Sequence, residues 1–152
     1  GEADFIKELM ARLGQVAFWK INIKPGRPMA FGRIGEAWLF GLPGNPVAVM
    51  VTFYQFVQDA LMKLMGVTPL PTRPLLPARS ECDIRKQPGR MEYLRGQLRP
   101  ADDGWSVGMA GPQGSGVLRS MSDANCFVVL PDTQGDVEAG DTVLVQLFDG
   151  LV

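Results

Sequence analysis

At 152 residues, with 46% apolar side chains and a mean hydropathy of +0.05, the chain has enough apolar material for one or two folded cores and is not a disordered tail. Its 15 basic and 16 acidic residues leave a net charge of -1, which gives no overall attraction to nucleic acid or an acidic membrane surface, so any anion site has to be local. The absence of histidine excludes imidazole triads and imidazole metal sites, and two cysteines, Cys82 and Cys126, are too few for a disulfide framework or a four-ligand zinc site.

The opening GEADFIKELM lacks the basic, apolar and small-residue sections of a signal peptide, and a reducing cytoplasm is the expected compartment. In ADFIKELMARLG the residues Ile6, Met10 and Leu13 share one face, with Phe5 and Leu9 beside them and Gly14 at the capping position, which predicts a helix. QVAFWKINIK then switches to period two: Ala17, Trp19, Ile21 and Ile23 point one way and Phe18, Lys20, Asn22 and Lys24 the other, which predicts a strand ending at Pro25-Gly26. MAFGRI and AWLFGL around Gly35-Glu36 read as a hairpin. In GLPGNP, Gly44 allows a tight turn, Asn45 can cap a helix and Pro46 fits its first turn. The helix predicted from Pro46 to Met65 is apolar over most of its circumference; Thr52, Gln55, Asp59 and Lys63, at three- and four-residue steps, form a polar stripe that argues for a buried helix and against a membrane span.

From Thr68 the composition changes. TPLPTRPLLP carries four of the twelve prolines, which suits a stiff linker over 69–77. Beyond it the short runs ARSECDIRK, RMEYLRGQL, WSVGMA, CFVVLP and TVLVQLF, separated by turn residues, predict an all-β sandwich or barrel over 78–152. The charge divides near the same place, +2 over residues 1–70 and -3 over 71–152. The fold class expected is α/β plus all-β. A helix as apolar as that from Pro46 needs neighbours on several sides, so the first 68 residues are expected to be the end of a larger α/β layer whose earlier strands lie upstream of Gly1.

Several residues carry possible chemistry, each beside a plainer role. Gly44-Asn45-Pro46 at a helix N-terminus could cradle a phosphate or simply cap the helix. Lys20 and Lys24, four residues apart on a strand and so about 13 Å between Cα atoms, meet one ligand only if it is extended or the Pro-Gly turn bends the chain back; otherwise they are solvated. Asp4 is placed just before the first helix, as a cap or, with partners, a metal ligand. Arg90 and Arg95 flank a strand, where arginines offer a fork to oxyanions but mostly face solvent. GPQGSG, residues 111–116, brings amides and the Ser115 hydroxyl, or is a connector, and the two cysteines read as buried spectators.

Taken in order and spacing, GEAD, FWKINIKPGRPMAFG, GLPGNPVAVMVTFYQFV, PGRMEYLRG, GPQGSG, SDANCFVVLP and GDVEAGDTVLV resemble the C-terminal portion of the molybdopterin molybdenumtransferase family, the bacterial MoeA proteins related to the E domain of gephyrin and its plant counterparts. The resemblance implies the end of an α/β molybdopterin-binding domain followed by a small β-barrel-like domain. It implies an enzyme that takes adenylylated molybdopterin and molybdate, inserts molybdenum and releases AMP with Mg2+, as a cytoplasmic homodimer with no nucleic-acid or membrane partner. It places catalytic roles on Lys20, Lys24 and Asp4, with Asp4 serving the metal; molybdate binding on Lys20, Lys24, Pro25, Arg95 and Ser115; and a pterin-side role on Gly44, Asn45 and Pro46. The family's other domains are absent from this chain, so alone it is expected to lack transferase activity. The alternative is a non-catalytic binding or scaffold module of the same family.

Overall fold

The computed structural model describes residues 2–111, 113 and 122–148, with side chains for all of them except residues 2–4 and 6. The first helix, α1, spans Glu2–Leu13, so Asp4 lies inside its first turn and not ahead of it. The Gly14 N–H donates to the Met10 carbonyl at 3.2 Å and closes the helix at the glycine expected to end it.

The single strand expected from Gln15 to Lys24 is two. β1 covers Gln15–Lys20 and β2 only Ile23–Lys24. The reason is a change of partner: β1 pairs antiparallel with β3 (Pro28–Ile34) until Lys20 meets Pro28, which has no N–H to donate. The Ile21 N–H then bonds back to the Arg27 carbonyl at 2.8 Å, and β2 pairs in parallel with the strand that begins at Met91. Gly26 shapes this turn; at φ +110 a side chain is strained, and a Cβ would sit 2.8 Å from the Thr52 hydroxyl. β4 (Ala37–Gly41) completes a three-stranded sheet with the expected hairpin turn at Gly35-Glu36. The apolar face that period two assigns to β1 is not covered within the described chain, Trp19 being 60% exposed; Phe18 on its other face, Phe31, Trp38 and the α1 residues Phe5, Leu9 and Leu13 are also open.

The long helix forms as α2 (Pro46–Thr52) and α3 (Gln58–Leu64) joined through a π turn at Phe53–Val57. Asn45 caps it as expected, its Oδ1 accepting from the Val47 N–H at 2.9 Å and from the Ala48 N–H at 3.4 Å. Replacing Asn45 with alanine is expected to cost about 1 kcal/mol, a fall of about 2–4 °C in Tm for a chain of this size. An unchanged melting curve would show that the cap is not needed. The polar stripe is spent on packing: Thr52 Oγ1 donates to the Ala48 carbonyl, Gln55 Nε2 to Gln146 Oε1 at 2.8 Å, and Asp59 pairs with Arg73.

The second half is a closed sheet. β5 (Leu75–Ser80), β6 (Met91–Ala101), β7 (Gly104–Met109), β8 (Cys126–Leu130) and β9 (Thr142–Leu147) run in the ring order β6-β7-β5-β9-β8 and back to β6, with β2 added beside the start of β6. ARSECDIRK is not one strand as expected: β5 stops at Ser80, and Ile84 joins only through an isolated bridge to Val137.

The uninterrupted apolar run of β8 reflects burial on both faces. Cys126, Val128 and Leu130 point into the barrel core with Ala78, Leu98, Val107, Val143 and Val145. Phe127 and Val129 point outward and pack with Ile23, Val51, Tyr54 and Tyr93, which joins the helix to the barrel. Period two on β6 likewise turns Leu98 inward and Tyr93 outward; at Gly96 an added Cβ would meet Val107, Cys126 and Val128 within 2.8–3.1 Å. Arg95 therefore shares the outer face with Tyr93. Burial pushes the Cys126 thiol up to about 11, which fits an inert spectator. Cys82 is half-buried and free.

Candidate functional site

Three separate stretches meet where the helix N-terminus approaches the outer face of β6. The parallel register of β2 and β6 sets Lys24 opposite Glu92, and Lys24 Nζ lies 3.4 Å from both carboxylate oxygens of Glu92. Only 9% of the Glu92 side chain is exposed against 57% of Lys24, so the carboxylate is a fixed anchor and the ammonium extends from it to the surface. At 3.4 Å the pair is longer than a strong charge-assisted bond, which leaves the ammonium hydrogen-bonding capacity for a second anion.

Beside Lys24 is a cleft of about 360 Å³ walled by Lys24, Pro25, Asn45, Val47, Tyr93, Leu94, Arg95 and Gln113. Arg95 is the unusual member. A strand arginine was expected to face solvent, yet it is 1% exposed, on the outer face of β6 opposite Phe127, its partner on β8. Burial pulls the guanidinium below its ordinary value, but an ordinary value so high leaves it charged at neutral pH.

Gln113 fixes the same spot. Its Oε1 accepts from the Arg95 N–H at 2.9 Å and its Nε2 donates to the Arg95 carbonyl at 3.0 Å, extending the edge of β6 with a side chain. Asn45 has spent its Oδ1 on the Val47 and Ala48 N–H groups, so those amides are already engaged, and its Nδ2 is the group left for a ligand. Tyr93 donates its hydroxyl to Met91 Sδ at 3.0 Å, and burial raises its phenol above the ordinary value, so it stays neutral. Among the described residues the walls of the cleft carry two cationic side chains, Lys24 and Arg95, and the carboxylate of Glu92 holds the first.

The structure brings Lys24, Pro25, Asn45 and Arg95 to one cleft across seventy residues of sequence. Lys20 does not line it; it ends β1 on the other sheet, exposed. Gly44 and Pro46 flank Asn45 without lining the cleft. Ser115 and the side chain of Asp4 lie outside the described residues. Gln113 and Glu92 were not singled out by sequence reasoning; Gln113 sits in the quoted GPQGSG, while nothing local marks a glutamate that matters only through its register with Lys24. Among the described residues no three His, Cys, Asp or Glu side chains are grouped so as to hold a metal ion.

Residues 77–148 match the family described as MoeA C-terminal region (domain IV), and residues 1–63 the family described as "Probable molybdopterin binding domain". A molybdopterin molybdenumtransferase of Haemophilus influenzae is 43% identical over 153 residues, covering 100% of this chain and 38% of that protein. A gephyrin of Dictyostelium discoideum is 31% identical, over 94% of this chain and 23% of that one. The crystal structure of a molybdopterin biosynthesis moeA protein from Pyrococcus horikoshii superposes with a TM-score of 0.78 at 29% identity, covering 98% of this chain and 36% of that one. The chain therefore spans well under half the length of each of these relatives.

Proposed function

This chain belongs to the MoeA family, and from that premise we propose that it supplies the molybdate side of a site that inserts molybdenum into adenylylated molybdopterin with release of AMP. One observation carries the reading: Lys24 and Arg95, distant in sequence, wall a single cleft together with Pro25 and Asn45.

Molybdate is a dianion and the dithiolene it must meet is anionic, so bringing them together opposes like charges. A unit charge pair at 4 Å is worth about 4 kcal/mol at an effective dielectric of 20, so Lys24 and Arg95 offset repulsion of that order. Arg95, buried and held at its backbone by Gln113, sets a fixed positive charge in the wall of the cleft; Lys24, anchored by Glu92, closes the outer side as a point charge. Their work is positioning and charge neutralisation of molybdate, with no proton carrier required in the cleft. Asn45 Nδ2 and the Gly44-Asn45-Pro46 turn border the pterin side in this proposal, which also assigns molybdate roles to Ser115 and, from outside the cleft, to Lys20.

Mg2+ enters the proposal only as an ion borne by substrate phosphates and water, to which Asp4 is the carboxylate this chain would add. The described residues do not form a cage for it, and no step is routed through it. The proposal includes a cytoplasmic homodimer for the full-length protein and two units, 1–68 and 78–152, joined by 69–77, of which β5 takes up the last three residues; the matched regions, 1–63 and 77–148, support that division. No helix among the described residues is long and apolar enough to cross a membrane.

Isothermal titration with molybdate tests the reading. Saturable binding weakened about tenfold by Lys24→Ala, and less by Lys20→Ala, is the expected result. Heats that do not saturate, or that ignore Lys24→Ala, would favour a structural module.

A further inference from the structure

Lys24 also borders a second and larger hollow, about 930 Å³, whose lining includes Arg27, Arg85, Lys86 and Arg90. Five cations and two carboxylates, Glu92 and Asp136, therefore face one surface of a chain whose net charge is -1. The carboxylates are committed. Glu92 holds Lys24, and Asp136 accepts from the Lys86 N–H at 2.7 Å and from Arg85 Nη1 at 2.8 Å, bonds that keep its carboxyl below the ordinary range. Lys86 is buried, its ammonium donating to the Gln87 and Gln134 carbonyls, and so adds fixed positive charge from behind the wall. Arg27 and Arg90 are exposed and have no ion-pair partner among the described residues.

The wall that carries Arg90 is held in place. Asn22 Nδ2 donates to the Gly89 carbonyl at 2.9 Å, the Gly89 N–H to the Asp132 carbonyl at 2.7 Å, and the Met91 N–H to the Asn22 carbonyl at 3.2 Å. Gly89 adopts φ +120, a conformation that suits glycine, and lets the loop turn between these ties. Among the described residues no aromatic side chain lines the hollow, so none of them stacks a base there, whereas single-stranded nucleic acid sites combine charge with aromatic platforms. Planar arginine forks on a fixed frame match phosphate oxygens.

We propose that this hollow is a second anion site, in which Arg27 and Arg90 take the oxygens of a diphosphate group and Lys24 lies between it and the molybdate cleft. The anion site stands on the charge and geometry above. Its identification with the diphosphate of an adenylylated substrate rests on the reading of the neighbouring cleft.

Titration with inorganic pyrophosphate separates the two. The Arg27→Gln/Arg90→Gln double variant, checked for folding by circular dichroism beside Arg27→Gln alone, should bind pyrophosphate at least tenfold more weakly and molybdate within about twofold of the parent chain. Arg79→Gln/Arg99→Gln, two exposed arginines that do not line the hollow, controls for general charge and should change neither. The proposal is overturned if the parent chain does not bind pyrophosphate saturably, if the double variant binds it normally, if the control variant loses as much, or if Arg95→Gln abolishes it, which would seat the ligand in the molybdate cleft. Should molybdate fail to bind any of these proteins while pyrophosphate still depends on Arg27 and Arg90, the anion site stands and the reading of the neighbouring cleft falls.

Discussion

Exchanging Arg95 for glutamine is expected to weaken molybdate binding at least about a hundredfold, the largest loss from any single side chain in the cleft. A unit charge about 4 Å from an anion is worth about 4 kcal/mol at an effective dielectric of 20, and about 2.7 kcal/mol already corresponds to a factor of one hundred. Lys24 should matter less because 57% of its side chain is exposed and Glu92 already shares its charge. Arg95 is 1% exposed, so water does little to screen it from an anion. Glutamine keeps much of the length and some hydrogen bonding but removes the charge, and the Gln113 contacts, which are to the Arg95 backbone, survive the exchange. Titration calorimetry measures the result; a loss under about threefold would remove Arg95 from the site.

Phe127→Ala should produce the largest change in stability, a loss of about 3–5 kcal/mol in urea unfolding. Phe127 is fully buried and makes ring contacts with Tyr54 at 5.8 Å, Tyr93 at 6.1 Å and Phe148 at 4.6 Å between centroids. Truncation would lose its buried area and leave a cavity between the helix and the barrel. The cleft has one wall on each side of that seam, Asn45 and Val47 from the helix, Tyr93 and Arg95 from the barrel. Molybdate binding should therefore weaken together with stability. Val128→Ala is the comparison: its side chain points into the barrel, away from the seam, and should lower stability while leaving affinity close to that of the parent chain. Equal effects of the two variants on binding would show that the seam does not hold the cleft together.

How far the site could be read from the sequence varies with how local its causes are. Asn45 was legible as a cap because capping is settled within four residues. The burial of Arg95 was not, since period two gives a strand residue a face but does not say what that face meets; here it shares a cleft with the N-terminal end of a helix about fifty residues earlier. The break between Lys20 and Lys24 was hidden for a similar reason. Alternation runs through WKINIK without interruption, and only the exchange of β3 for β6 as hydrogen-bond partner separates the two lysines onto different sheets. Lys24 therefore walls the cleft while Lys20 does not.

By itself the sequence determined the kinds of element and their order: a helix closed by Gly14, a hairpin at Gly35-Glu36, a capped apolar helix after Asn45, and short strands after the prolines. These follow from backbone preferences and side-chain periods that act over a few residues. It also contained the family resemblance, carried by the order of its motifs. Only the tertiary structure decided that Lys24 stands opposite Glu92, that Arg95 is buried with Gln113 bracketing its backbone, and that Arg27 and Arg90 share a hollow. Those facts depend on strand register and on closure of the barrel, which bring together residues far apart in the chain. Local preference cannot specify such pairings, because burying non-local faces is settled only when the whole sheet closes.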